Sequence, residues 1–269
     1  TAIRRDIHAH PETCFEEHRT SELVATLLTE WGIEVHRGLG KTGVVGLIRG
    51  RDGGQSGRSL GLRADMDALP MQELNSFAHA SKTPGKMHAC GHDGHTTMLL
   101  AAAQHLARQR DFDGTVVLIF QPAEELGGGA HAMIEDGLFE RFPVDAVFGT
   151  HNWPGMAVGD IALSSGPVMA STNEFKIVIQ GRGCHGAMPH MGIDPVPVAC
   201  QVVQGFQTII SRNKKPIDSA VLSVTMIHAG EATNVVPDHC EIQGTVRTFR
   251  TEVLDLIESR MREVAEHIC

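Results

Sequence analysis

Four short apolar runs constrain the first half of this chain more than any other feature. They are "GVVGLIRG" (43–50), "SLGLRADM" (59–66), "GTVVLIFQ" (114–121) and "DAVFGTHNW" (145–153). Each is too short for a helix, is bounded by Gly or polar residues, and reads as a strand buried in a sheet. Helical patterns lie around them. "FEEHRTSELVATLLTEWG" puts Leu23, Val24, Leu27, Leu28 and Trp31 on one stripe. "GHTTMLLAAAQHLARQR" is rich in Ala and Leu, and "GGGAHAMIEDGLFE" reads as a short helix. Strand, helix, strand, helix, strand predicts an α/β domain over residues 1–171, with a mostly parallel sheet and helices on both faces.

The pattern changes near residue 171. "NEFKIVIQGRG" alternates apolar and polar residues, as a half-exposed strand does. A Gly/Pro-rich loop and a helix from about Pro195 to Arg212 follow, then the strands "SAVLSVTMIHAG" and "HCEIQGTVRTF". A last helix carries Val253, Leu254, Ile257 and Met261 on one face. Residues 172–269 therefore predict a second, α+β domain of the split βαβ, ferredoxin-like kind, one strand short of complete. The chain stops inside or just after that helix, so we expect a C-terminal part, including this last strand, to be absent from the sequence.

Composition narrows the function classes. A chain of 269 residues, 42% hydrophobic and 20% charged, has ample core for one or two domains. Its net charge of −9 argues against nucleic acid as a partner. No apolar run approaches the roughly 20 residues that span a bilayer, which argues against a membrane partner. No signal-peptide pattern opens the chain, though a start at Thr1 leaves room for a processed one. The six cysteines are scattered without a CxxC pair, the pattern of reduced thiols in a cytosol. Sixteen histidines raise the prospect of a site without locating it.

In open parallel α/β sheets, ligands bind beyond the carboxyl ends of the strands. The polar clusters fall there. One strand ends in Asp65 and Asp67, another in Glu124 and Glu125, a third in His151, and "HACGHDGH" (88–95) precedes the long helix. Thiolate, imidazole and carboxylate together suit zinc and its first-row neighbours. Cys90 and His92 could share one site from a tight turn, with Glu125 and His151 completing it. Taken alone, Cys90 reads equally as a small buried hydrophobe and His92 as a polar helix start. Asp93 suits a helix N-terminus, and His88 and His95 read as framing the turn. Two adjacent carboxylates can take different jobs. A metal-activated water needs a base for its proton and an acid for the leaving amine, roles Glu124 and Glu125 could divide. The alternative is an acidic patch opening a Gly-rich helix. Asp67 could orient a ligand imidazole through its other nitrogen, or simply end the strand.

Seven segments appear in order: "RRDIHAHPE", "RADMDALPMQE", "MHACGHDGH", "QPAEE", "HNWP", "GRGCHGAMPH" and "NVVPDHCEIQGTVRTF". Together they resemble the aminoacylase/hippurate-hydrolase type of two-metal amidohydrolase, in the branch with bacterial hippuricases and plant hydrolases of auxin–amino-acid conjugates. The resemblance implies two divalent ions per subunit, of Zn, Mn, Co or Ni. Cys90 would bridge them, and His92, Glu125 and His151 would be further ligands. Glu124 would be the catalytic base and acid, and Asp67 would support His92. Residues 172–269 would form a lid and dimerisation domain, giving a homodimer. Within it His185 would polarise the scissile carbonyl, in the partner subunit's site, while Asn234 and Arg247 would bind substrate. Spacing alone reads His185 as a loop histidine and Arg247 as an exposed strand residue. Cys184 departs from the glycine usual at its position, and a further histidine ligand of such families would follow the lid, beyond the end of this chain.

The function so implied is metal-dependent hydrolysis of the amide bond of N-acyl amino acids, in the cytoplasm. Two other readings stay open at this point: a cysteine-nucleophile amidase using Cys90 with a histidine base, and an inactive metal-binding module.

Overall fold

The most apolar run, Thr115–Gln121, becomes the central strand of a five-stranded sheet. The protein is described here by a computed structural model covering residues 1–269, the side chain of Asp52 excepted. Its chain divides into two units, Thr1–Val158 and Gly159–Cys269. In the first, the elements are α1 (Ala2–Ala9), α2 (His18–Glu30), β1 (Glu34–Leu39), β2 (Gly43–Arg49), β3 (Ser59–Asp65), α3 (His92–Gln109), β4 (Thr115–Gln121), α4 (Gly129–Glu135), α5 (Leu138–Arg141) and β5 (Ala146–Gly149).

The sheet order is β1-β2-β4-β3-β5. β3 runs parallel to both β4 and β5, while β2 is antiparallel to β4 and to β1. β2 is thus the one strand reversed, and the sheet is mainly parallel with a hairpin at one end. Sequence reading did not anticipate β1, whose "EVHRGL" is mostly exposed or half-buried and carries no apolar run. The β2–β3 link holds only a short 3-10 turn at Arg51–Gly53. Strands running in opposite directions need no long crossover, whereas the parallel pair β3 and β4 is joined through α3.

Alternate residues of β4 enter different cores. Val116, Leu118 and Phe120 pack with Leu28 of α2 and Leu100 of α3. Val117 and Ile119 pack with Met133 of α4 and Leu138 of α5. Burial on both faces is why this strand reads as a continuous apolar run rather than an alternating one. β5 pairs with β3 alone, is shorter than the run 145–153, and is exposed at every residue.

The second unit contains β6 (Asn173–Gln180), β7 (Cys184–His185), α6 (Pro195–Thr208), β8 (Ala220–His228), β9 (Val235–Val236), β10 (His239–Thr248) and α7 (Thr251–Ile268). β10 pairs antiparallel with both β6 and β8, so β6 and β8 run parallel with β10 inserted between them, the split βαβ arrangement. Val202 and Phe206 of α6 and Ile257 of α7 pack with Ile179, Ile242 and Val246 of the sheet. Asp194 starts α6 by accepting the Val196 N–H at 2.9 Å, with Pro195 in the first turn. Among the described residues no helix is long and apolar enough to cross a membrane.

Leu100 is fully buried between α3 and the sheet. Leu100→Ala is expected to cost about 2–5 kcal/mol in urea unfolding followed by fluorescence of Trp31, which packs against this core. A loss below about 1 kcal/mol would contradict the packing described.

Candidate metal centre

Because β3 and β4 are parallel and in register, with Asp65 opposite Gln121, the residues after both strands emerge at one edge of the sheet. Asp67 follows β3, Glu124 and Glu125 follow β4, His151 follows β5, and His92 opens α3. Gly91 makes the entry to α3 possible. Its φ is +106°, and a Cβ there would lie 2.4 Å from the Asn152 side chain. The glycine between Cys90 and His92 is therefore set by both conformation and space.

His92 is buried, and its Nδ1 lies 2.8 Å from the Asp67 carbonyl oxygen and 3.2 Å from Asp67 Oδ1. Nδ1–H donates to these oxygens, which leaves Nε2 as a bare lone pair. Among the described residues neither His92 Nε2 nor the buried Glu125 Oε1 has a hydrogen-bond partner. They lie 3.8 Å apart, and Glu124 Oε2 is also 3.8 Å from His92 Nε2. Cys90 Sγ is 3.3 Å from His151 Nε2. Cys90, His92 and His151 each offer a ligand atom within 4.8 Å of the others, and so do His92, Glu124 and Glu125.

Charge at this edge is unbalanced. Burial opposes protonation of His92, but Asp67, Asp65 and Glu125 outweigh it and raise its pKa. Burial, with Glu124 and Asp67 nearby, raises that of Glu125. Burial also opposes ionisation of Asp67, yet the His92 ring and the backbone N–H groups of Glu125 and Glu124 keep it below the usual carboxylate range. Unpaired buried acceptors amid several carboxylates are costly, and a cation supplies what they lack. Thiolate, imidazole and carboxylate together suit a divalent first-row metal.

Cys90 and His151 are near enough to be a nucleophile and its base. The electrostatics oppose that role. Burial, then Glu125, Asp65 and Glu124, push the Cys90 thiol up to about 12. An activated cysteine needs the reverse, whereas a bound metal deprotonates a coordinating thiol outright.

Sequence reading gave His95 only a place in the turn and Asp65 only a strand end, and it did not single out Asn152; all three frame this centre. His95 Nδ1–H donates to Asp65 Oδ1 at 2.6 Å, so His95 Nε2 accepts the Asn152 N–H at 3.0 Å. The Asn152 carbonyl in turn accepts His151 Nδ1–H at 2.6 Å, leaving His151 Nε2 free to face Cys90. Asp65, His95 and Asn152 thus settle which nitrogen of His151 is presented. The spacing of His92 and His95, three apart on one helix face, was the available signal. Asp93 lies in the first turn of α3 as its charge suggested, but its Oδ2 also holds Arg4 Nε and His8 Nδ1, each at 2.7 Å. That explains the opening "RRDIHAHPE". His185, Asn234 and Arg247 lie in the second unit. β7 and β9 pair His185 with Val235, which sets Asn234 beside it, and the Asn234 carbonyl accepts the Gly186 N–H at 2.7 Å. Arg247 lies on β10 and donates to Thr172 Oγ1.

His88 is 4% exposed, and burial lowers its pKa to about 4. A histidine kept neutral by folding charges more readily in the unfolded chain, so its stabilising effect is complete above about pH 6.5 and lost as pH falls toward 4. His88→Leu in chelated protein is expected to flatten unfolding free energy against pH by about 1 kcal/mol per unit in that window. An unchanged slope in urea titrations would contradict this.

Comparisons with known proteins identify relatives of this chain. The chain is 47% identical over 266 residues to the hippurate hydrolase of Campylobacter jejuni, covering 99% of this chain and 68% of the relative. It is 46% identical to the N-acetyl-L-cysteine deacetylase of Bacillus subtilis, covering 99% of this chain and 63% of that relative. Among solved structures, the Bacillus subtilis YXEP protein, a dinuclear metal binding peptidase of the M20 family, superposes with a TM-score of 0.83 at 42% identity. That match covers 99% of this chain and 68% of the other. Residues 61–267 match the peptidase family M20/M25/M40, and the chain belongs to that family.

Proposed function

We propose that this protein hydrolyses the amide bond of N-acyl amino acids with divalent metal ions, releasing a carboxylic acid and a free amino acid. The observation that carries the reading is the pair of orphaned buried acceptors, His92 Nε2 and Glu125 Oε1, beside Cys90, His151 and Glu124. The relatives named above, a hippurate hydrolase and an N-acetyl-L-cysteine deacetylase, support the substrate class.

Cys90, His92, Glu125 and His151 would hold two ions; Zn, Mn, Co and Ni all tolerate such donors. When bound, the ions supply Lewis acidity at the amide carbonyl and lower the pKa of water. The chain's own groups do the rest. Asp67 holds His92 in the tautomer with Nε2 bare and fixes the Glu125 backbone at 3.0 Å. Glu124, more exposed than Glu125, takes the proton of the attacking water and returns it to the leaving amine.

Residues 172–269 are proposed as the lid and dimerisation part of a homodimer. His185 polarises the scissile carbonyl in the partner's site, and Asn234 and Arg247 bind the substrate. The adjacency of His185 and Asn234 and the planar fork of Arg247, suited to a carboxylate, support these roles. All six cysteines are free, which supports a cytoplasmic setting.

The test assays the complete gene product on hippurate and a panel of N-acetyl amino acids. Exhaustive chelation is expected to abolish turnover, and added Zn, Mn, Co or Ni to restore it. Glu124→Gln is expected to lower kcat about 10²–10⁴-fold. Turnover that survives chelation but not iodoacetamide, with an acyl-enzyme seen by mass spectrometry, would establish the cysteine-nucleophile alternative instead.

A further inference from the structure

Glu17 is fully buried, which is unusual for a carboxylate at a helix start. It does not cap α2. That task falls to Glu12, whose Oε1 accepts the Arg19 N–H and whose Oε2 accepts the Thr20 N–H, both at 2.8 Å. The Glu17 side chain turns inward. Its Oε1 accepts the Phe15 N–H at 3.0 Å and the Ala123 N–H at 2.9 Å, and its Oε2 accepts the Thr42 hydroxyl.

Ala123 is the residue before Glu124, and its backbone is out of the ordinary. Its φ is +48°, in the left-handed region that favours glycine. Strain of this kind persists only where the surroundings enforce it. The surroundings are visible: Glu17 holds the Ala123 N–H, and the Ala123 carbonyl accepts the Gly129 N–H at 3.0 Å. Gly129 is itself required, since a Cβ there would lie 1.7 Å from the Pro122 carbonyl oxygen. One residue beyond Glu124, the Glu125 N–H is fixed on Asp67 Oδ2 at 3.0 Å.

We infer that Glu17 is a positioning residue for Glu124: its buried carboxylate holds Ala123 in the left-handed conformation that turns Glu124 and Glu125 from the end of β4 toward His92. This rests on Glu124 being the base. Small displacements of a reacting group carry large rate penalties, so Glu17 acts on kcat without touching substrate or metal.

Reach, rather than charge, is the property required. Glu17→Gln keeps Oε1 on both N–H groups, and its amide donates to the Thr42 hydroxyl. Glu17→Asp keeps the charge but is one methylene too short for Ala123. In the complete gene product, Glu17→Gln is expected to retain kcat within about threefold. Glu17→Asp is expected to lose about tenfold or more in kcat, with KM and calorimetric zinc affinity unchanged. Ala123→Gly, for which φ +48° is unstrained, is expected to recover part of that loss when added to Glu17→Asp. Wild-type kcat in Glu17→Asp, or a kcat loss matched by an equal loss of zinc affinity, would overturn the inference. Glu124→Gln run in parallel separates the two levels. Full activity there overturns the base assignment and this inference with it. An inactive Glu124→Gln beside a fully active Glu17→Asp overturns the inference alone.

Discussion

The hydrogen bond from His92 Nδ1 to Asp67 is the interaction on which the rest of the centre depends. Asp67 is buried, and its two oxygens serve different masters: Oδ1 faces the imidazole, and Oδ2 fixes the backbone of Glu125. One side chain therefore decides which nitrogen His92 presents and where the carboxylates after β4 begin. With Nδ1 engaged, Nε2 has nothing to bind among the described residues, and it faces two glutamates at 3.8 Å. Proteins rarely leave such acceptors buried and unpaired. That deficit, beside the other donors at this edge, supports the metal reading.

The fold supplies the convergence. Parallel β3 and β4 end side by side, and the αL residue at Ala123 turns the chain back over the sheet edge. α3 starts at the same edge and contributes His92 and His95 from one face. Two hydrogen-bonded supports then act at this edge. Asp65 and His95 fix Asn152 and so His151, while Glu17 and Asp67 fix the turn that bears Glu124 and Glu125. Rigid elements hold these supports, which is how ligand groups acquire defined geometry.

What could be read in the sequence follows from where the signal is local. β4 is apolar on both faces and announces itself; β1 is not, and was missed. The two-residue strands β7 and β9 are too short for any periodicity to show. The split βαβ pattern was legible because the segment that forms β6 alternates apolar and polar residues and the following helix and strands keep their order. Cys90, His92, Glu124, Glu125 and His151 stood out because metal-binding residue types at strand ends are uncommon in combination. Their supports did not. Glu17 carries no signal of its own in the sequence, and its partner Ala123 lies 106 residues away. Asp65 and His95 pair across 30 residues. Apart from the spacing of His92 and His95 on one helix face, nothing local distinguishes such residues from solvated ones; only the folded chain brings donor and acceptor together. The change of pattern near 171 was visible at β6, while the stretch between β5 and β6 has no regular element to mark a boundary.

The most direct test of the account is a cobalt(II) titration of the chelated protein, followed by near-ultraviolet and visible absorption. A thiolate that ligates the metal gives a sulfur-to-cobalt charge-transfer band, and a ligand field set by Cys90, His92, Glu125 and His151 gives visible transitions. The account predicts that the charge-transfer band saturates with added cobalt and is lost in Cys90→Ser while the protein stays folded. A titration with no such band, or a band that Cys90→Ser leaves intact, would contradict it.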